Sequence, residues 1–222
     1  LLNTTGNYNV AVGRKALCSN VSGLTNVGIG LTALNDNTTG TNNIAIGCAT
    51  MLDNTSGGDN VAIGVGTLSN NTTADDNTSV GSYSMIKNTT GTANVALGNN
   101  AMACNTTASN NTAVGYSALV ANTTGYSNNA FGYESLCSNT EGECNNAHGN
   151  LTLSKNTTGD NNTAFGHLAL RNNTTAGSNT AVGFCSLATN TTGGGNTAVG
   201  LCALNANISG DQNVAIGINA MQ

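Results

Sequence analysis

Proline and tryptophan are absent from these 222 residues, aromatic residues make up 4% and charged residues 7%. So little charge and so few rings would suit a disordered polar tract, but strict periodicity argues against that reading. The net charge of −5 comes from scattered side chains. No basic run or stripe exists, which weighs against nucleic acid as a partner. Apolar runs extend only a few residues, too short to span a membrane. An initiator methionine, a charged leader region and a cleavage site are all missing, so no targeting segment is visible. Because the sequence begins and ends inside a repeat, it reads as a window cut from something longer.

What the chain has in excess is Asn, Thr, Gly and Ala, written in one repeating phrase. Gly13, Gly30, Gly47 and the matching glycines up to Gly217 follow one another at intervals of 17, without insertion or deletion. The consensus is N-T-T-G-x-x-N-T-A-V-G-x-x-A-L-x-x, and it fills residues 1–222 as a single continuous array with no linker. Its first and seventh positions are always Asn and its eleventh always Gly. Seventeen residues are too few for a helix pair but suit one coil of an all-β solenoid, a parallel β-helix or β-roll of thirteen coils. At roughly 4.8 Å per coil, such an array would be on the order of 60 Å long.

The columns of the repeat carry the core expectation. Position 15 is Leu or Met throughout, and position 10 is Val, Ile, Leu or Phe in every coil except at His148. Both are expected to stack inward. The glycines of positions 4 and 11 are expected at corners, where positive φ or close backbone approach favours them. The two Asn columns read as amide ladders, each side chain bonded to its copies in adjacent coils.

Alternation of side chains along an extended chain orients the Asn-Thr-Thr stretch. Position 2 accepts Val21 and Ile208, so it is expected to face in; position 3 is Thr, Ser or Glu141 and faces water. Position 1 then faces out with position 3. That makes an outward column of N-glycosylation acceptors: Asn3, Asn20, Asn37, Asn54, Asn71, Asn88, Asn105, Asn122, Asn156, Asn173, Asn190 and Asn207. Asn139 lacks the hydroxyl two residues on. Further Asn-x-Thr/Ser triplets begin off this column at Asn70, Asn77, Asn110, Asn150, Asn161 and Asn172. A chain this rich in Asn and Thr also makes such triplets by chance, and an unmodified Asn-Thr ladder can satisfy turn backbone by itself.

The run "NTAVGYSALVANTTGYSNNAFGYESL" (residues 111–136) resembles the NTTG-x-x-NTAVG-x-x-AL repeats of fibre proteins from phages, large algal viruses and environmental bacteria. "NVAIGVGTL" (residues 60–68) is similar to the shorter head repeats of trimeric autotransporter adhesins. The resemblance implies an extracellular or virion-surface fibre or adhesin, often trimeric. Position 9, nearly always Ala, has two readings. Either it faces out and packs against another chain, or positions 7 and 9 face inward at a narrow corner.

Seven Cys in such a rod invite pairing. Cys185 and Cys202 share position 13 of adjacent coils, one strand spacing apart and within disulfide range; Cys137 and Cys144 bracket the one turn that lacks a sequon. His148 and His167 have no ligand partners at metal spacing, the acidic residues are too sporadic for a calcium repeat, and no enzyme, metal or cofactor is expected. The expectation is a structural fibre subunit with N-linked glycans along one edge, self-associated into a fibre or trimer. A bare adhesin shaft is an alternative, and an ice-binding solenoid with an exposed Asn-Thr face a lesser one.

Overall fold

The computed structural model describes residues 4–222, in two compact units of coils that divide after Asn110. The first unit holds the three-residue strands β1 (Val10–Val12), β2 (Val27–Ile29), β3 (Ile44–Ile46), β4 (Val61–Ile63), β5 (Thr78–Val80) and β6 (Val95–Leu97). The second holds β7 (Thr112–Val114), β8 (Asn129–Phe131), β9 (Asn146–His148), β10 (Thr163–Phe165), β11 (Thr180–Val182), β12 (Thr197–Val199) and β13 (Val214–Ile216). Within each unit successive strands pair in parallel and in register, repeat position against repeat position. Each unit is therefore a β-solenoid, as the 17-residue period requires.

The rest of the coil is held by the backbone as firmly as the strand. In the coil of residues 37–53, Ile44 donates its N–H forward to the Asn60 carbonyl at 2.8 Å and Met51 to that of Thr67 at 3.0 Å. Gly47 and Ala49 donate backward, to Ile29 and Leu31, both at 2.8 Å. The chain closes on itself through left-handed residues at positions 6, 13 and 15, here Asn42 (φ 58°), Ala49 (φ 54°) and Met51 (φ 48°). Non-glycine residues rarely adopt this conformation, yet nearly every copy of these three positions does so. Glycine is required elsewhere. At position 11, φ runs from 124° to 142°, a region closed to side chains with a Cβ.

The interior is narrow. Leu34, Met51, Leu68 and Met85 at position 15 are fully buried, and Ala45, Ala62 and Ala96 at position 9 face them. Positions 7 and 9 thus point inward, and position 10 points outward: Val12, Ile63 and Phe165 are exposed. This corrects the inward placement of position 10 and settles the two readings of position 9. A Val or Ile in the strand would overfill a coil already occupied by Leu, so Ala takes the inner place and the larger side chains are turned out.

Candidate functional site

The Asn-Thr-Thr stretch is a turn, and its first residue faces in. Asn20, Asn37, Asn54, Asn71, Asn88, Asn105, Asn122, Asn156, Asn173 and Asn190 are buried, together with Asn139, and Asn207 is half-buried. Asn3 lies outside the described residues. The expected outward column is overturned, with a definite geometric reason. Asn54 Nδ2 donates to Asn37 Oδ1 at 2.8 Å and to the Gly57 carbonyl three residues on at 3.0 Å. The same pair of bonds recurs at Asn71, Asn88 and Asn156. Both amide hydrogens are used inside the coil, and no room exists there for a sugar on Nδ2.

The seventh position carries a second buried amide row. Asn43 donates from Nδ2 to Asn26 Oδ1 at 3.1 Å and to the Gly57 carbonyl at 2.8 Å, and its backbone N–H reaches the same Oδ1 at 3.0 Å. Both rows are amide ladders, as the invariance of these Asn suggested. Position 2 is half-buried. Thr38 Oγ1 donates to the Thr55 carbonyl of the next coil at 2.9 Å, and the replacements Val21 and Ile208 are exposed. The third position presents its hydroxyls to water, but the Asn column two residues before it is turned inward, so the Asn-Thr face imagined for ice binding is not formed.

Glycopeptide mapping of natively isolated protein is expected to find the buried Asn column bare. Any glycan would sit on Asn70, Asn110, Asn150 or Asn161, whose side chains are exposed. Hexose on Asn54 or Asn71 would be incompatible with the coil described above.

All seven cysteines are free thiols. Cys185 and Cys202 nonetheless meet: burial first, then the charge and hydrogen bond of the Cys202 thiol, push the Cys185 thiol upward, against a lowering influence from Arg171. Cys137 is committed elsewhere, its Sγ donating to the Ser154 carbonyl at 3.3 Å, and burial raises its pKa. Cys144, beyond the turn, is exposed. Oxidised glutathione is therefore expected to join Cys185 to Cys202 with loss of two hydrogens and release of two reduced glutathiones, while Cys137 and Cys144 remain unjoined. Non-reducing peptide mapping reads this directly; separate alkylation of Cys185 and Cys202 after such treatment would contradict it.

Several acidic side chains are tied to local partners. Asp160 Oδ1 accepts from the Glu143 backbone N–H at 2.7 Å, and the Tyr126 hydroxyl bonds to Glu143, which raises the phenol pKa. Burial, then the charge of Asp36 one coil back, raises the Asp53 pKa. Among the described residues no group of three His, Cys, Asp or Glu is placed to hold a metal ion.

What remains exposed and patterned is the outer face of the strands. In β7–β13 its tenth-position column holds a ring stack, Phe131 on His148 at 4.6 Å and His148 on Phe165 at 4.5 Å, with interplanar angles of 11° and 12°. The eighth position there is mostly Thr or Asn, and Asn129 donates to Asn146 Oδ1 at 2.8 Å. In β1–β6 both columns are aliphatic except at Thr78. Sequence reasoning missed this face because it assigned position 10 to the core; the eighth-position shift from Val and Ile to Thr and Asn was the available signal.

The fold defines a β-solenoid repeat protein. No protein-family model matches the chain, and no curated protein or solved structure does so either.

Proposed function

We propose that this chain is a structural segment of an extracellular or virion-associated fibre, with a mechanical rather than a catalytic role. The observation that carries the reading is the continuity of its contacts along the stacking direction. Every coil is bonded to its neighbours within the unit by backbone on all sides and by the two inner Asn rows. Buried hydrogen bonds that repeat at each step resist bending and local opening, because no coil can move without breaking several at once. Inward positions vary only among side chains of similar size, such as Ala33, Thr50 and Ser84, whereas outward ones vary freely, which preserves the shaft while its surface differs from coil to coil. Relative to the expectation from sequence, the sugar coat on the Asn column is dropped, and the segment is a shaft that associates with further copies of itself. Immunogold labelling with antibodies to this chain is the test. Gold along fibres on the cell or virion exterior is the expected result, and label confined to the cell interior would overturn the reading.

A further inference from the structure

The outer face of β1–β6 carries two adjacent columns of side chains, apolar except at Thr78, that run through six successive coils. Its two columns run Val10, Val27, Ile44, Val61, Thr78, Val95 and Val12, Ile29, Ile46, Ile63, Val80, Leu97. All twelve side chains are exposed or half-exposed, and none is charged. The third position of those coils is Thr or Ser throughout, and the sixth includes Asn42, Asp59 and Asp76. The strip is the contiguous apolar surface of these coils; the other exposed apolar side chains, Tyr8, Val21, Leu24, Leu31, Val65 and Tyr83, are spread over other repeat positions.

Folding does not demand that strip. In β7–β12 the eighth position carries Thr112, Asn129, Asn146, Thr163, Thr180 and Thr197 in the same strand geometry and the same parallel register. The position accepts polar residues without loss of the coil, so Val and Ile in β1–β6 answer to something outside it. Eleven Val, Ile and Leu side chains so exposed offer on the order of 600 Å² of apolar surface. That is at the top of what a monomer leaves bare, and close to the ~800 Å² per partner of a standard interface.

The geometry of the strip selects its occupant. Side chains stand in two rows with a repeat of ~4.8 Å along the stack. Another surface interdigitates with both rows over six coils only if its own ridges have the same pitch. The same strip on another copy of this chain has that pitch by construction, has no charge to desolvate, and presents a second sheet face of the kind that packs at ~10 Å. We propose that β1–β6 pair face to face with the same strip of a second copy of this chain. This rests on the reading of the chain as a self-associating structural segment, and it names the surface and the stoichiometry.

Sedimentation velocity on the full chain tests it. At about 10 μM the unaltered protein is expected to be a dimer. The double variant Ile44→Lys/Ile63→Lys is expected to be a folded monomer that still unfolds cooperatively, since both side chains lie outside the coil, with a melting temperature lowered only by the loss of dimerisation. Thr163→Lys/Thr180→Lys, on the outer face of β10 and β11, is expected to remain a dimer. Should the first variant fail to fold, Ile44→Thr/Ile63→Thr replaces it with an uncharged β-branched residue, one that sibling strands already carry at the eighth position; it is expected to weaken dimerisation at least tenfold. A monomeric unaltered protein, a trimer, or a dimer that survives both Ile44/Ile63 variants overturns the pairing. None of these results bears on the immunogold localisation, so the two readings fail separately.

Discussion

Replacing Asn71 with alanine is expected to cost about 3–5 kcal/mol of stability, a large effect for one side chain. Asn71 donates to Asn54 Oδ1 at 2.8 Å and to the Ala74 carbonyl at 3.1 Å, and accepts from Asn88 Nδ2 at 3.1 Å. The Ala74 carbonyl keeps a donor in Asn60, and Asn88 keeps its bond to the Gly91 carbonyl. What alanine strands is the Asn54 oxygen and one Asn88 N–H, both buried, at about 1–3 kcal/mol each, beside a new void. Asn71→Asp is expected to be worse at neutral pH, because it loses the donor and buries a charge. Its sign with pH is fixed. Burial raises the carboxyl pKa in the folded state, so the folded protein binds the proton more tightly than the unfolded chain does. The penalty is complete above the raised pKa and shrinks as pH falls toward the unfolded value. Urea midpoints across the acid range measure both variants; midpoints within error of the unaltered protein would mean that the inner amide row is dispensable.

Gly132→Ala is expected to be the most damaging single substitution, costing more than about 4 kcal/mol or preventing the coil from forming. Gly132 has φ 133°, and a Cβ there would lie 2.4 Å from the Gly149 carbonyl oxygen. Gly40→Ala is the control that separates space from conformation. A Cβ at Gly40 would meet the Gly57 oxygen and Asn37 Oδ1, each also at 2.4 Å. Its φ is not left-handed, however, and the chain already places Ala74, Ala108 and Ala176 at the same repeat position. A shift of the neighbouring coil relieves the contact there, so Gly40→Ala is expected to cost no more than about 1.5 kcal/mol. Comparable losses for the two variants would show that crowding, and not backbone conformation, makes position 11 glycine.

The period, the solenoid, the Leu/Met column and both amide ladders were legible in the sequence, because each is a statement about stacking identical residues and needs no knowledge of coil shape. Orientation was not. Alternation was applied to Asn-Thr-Thr as though it were a strand, but it is a turn, and in a turn residues 1 and 3 need not share a face. Asn54 therefore points in while Ser56 points out. The second failure came from size. Val and Ile at position 10 look like core beside an Ala at position 9, yet the coil has room for only one large side chain per turn, and Leu or Met at position 15 takes it. The left-handed backbone at Leu34 or Met51 leaves no trace in composition, since the residues there are not Gly or Asn; packing of the side chain into the interior enforces a conformation that local preference would not choose.

The inner amides also give the stack a direction. In the first row Asn37 donates to Asn20, Asn54 to Asn37 and Asn71 to Asn54. In the second, Asn43 donates to Asn26, Asn60 to Asn43 and Asn77 to Asn60. The amide-to-amide bonds of both rows run the same way, toward the preceding coil, whereas backbone bonds run both forward and backward and the second-position Thr hydroxyls donate forward. Small aligned dipoles add, as peptide units do along a helix, and each polarises the next. The two amide rows consequently give a unit of coils a dipole contribution that is positive toward its first coil and negative toward its last. Two such bodies laid side by side lie lower in energy head to tail than head to head. In the proposed pair of copies, the amides that hold one coil to the next would thereby favour an antiparallel arrangement without touching the surface on which the copies meet.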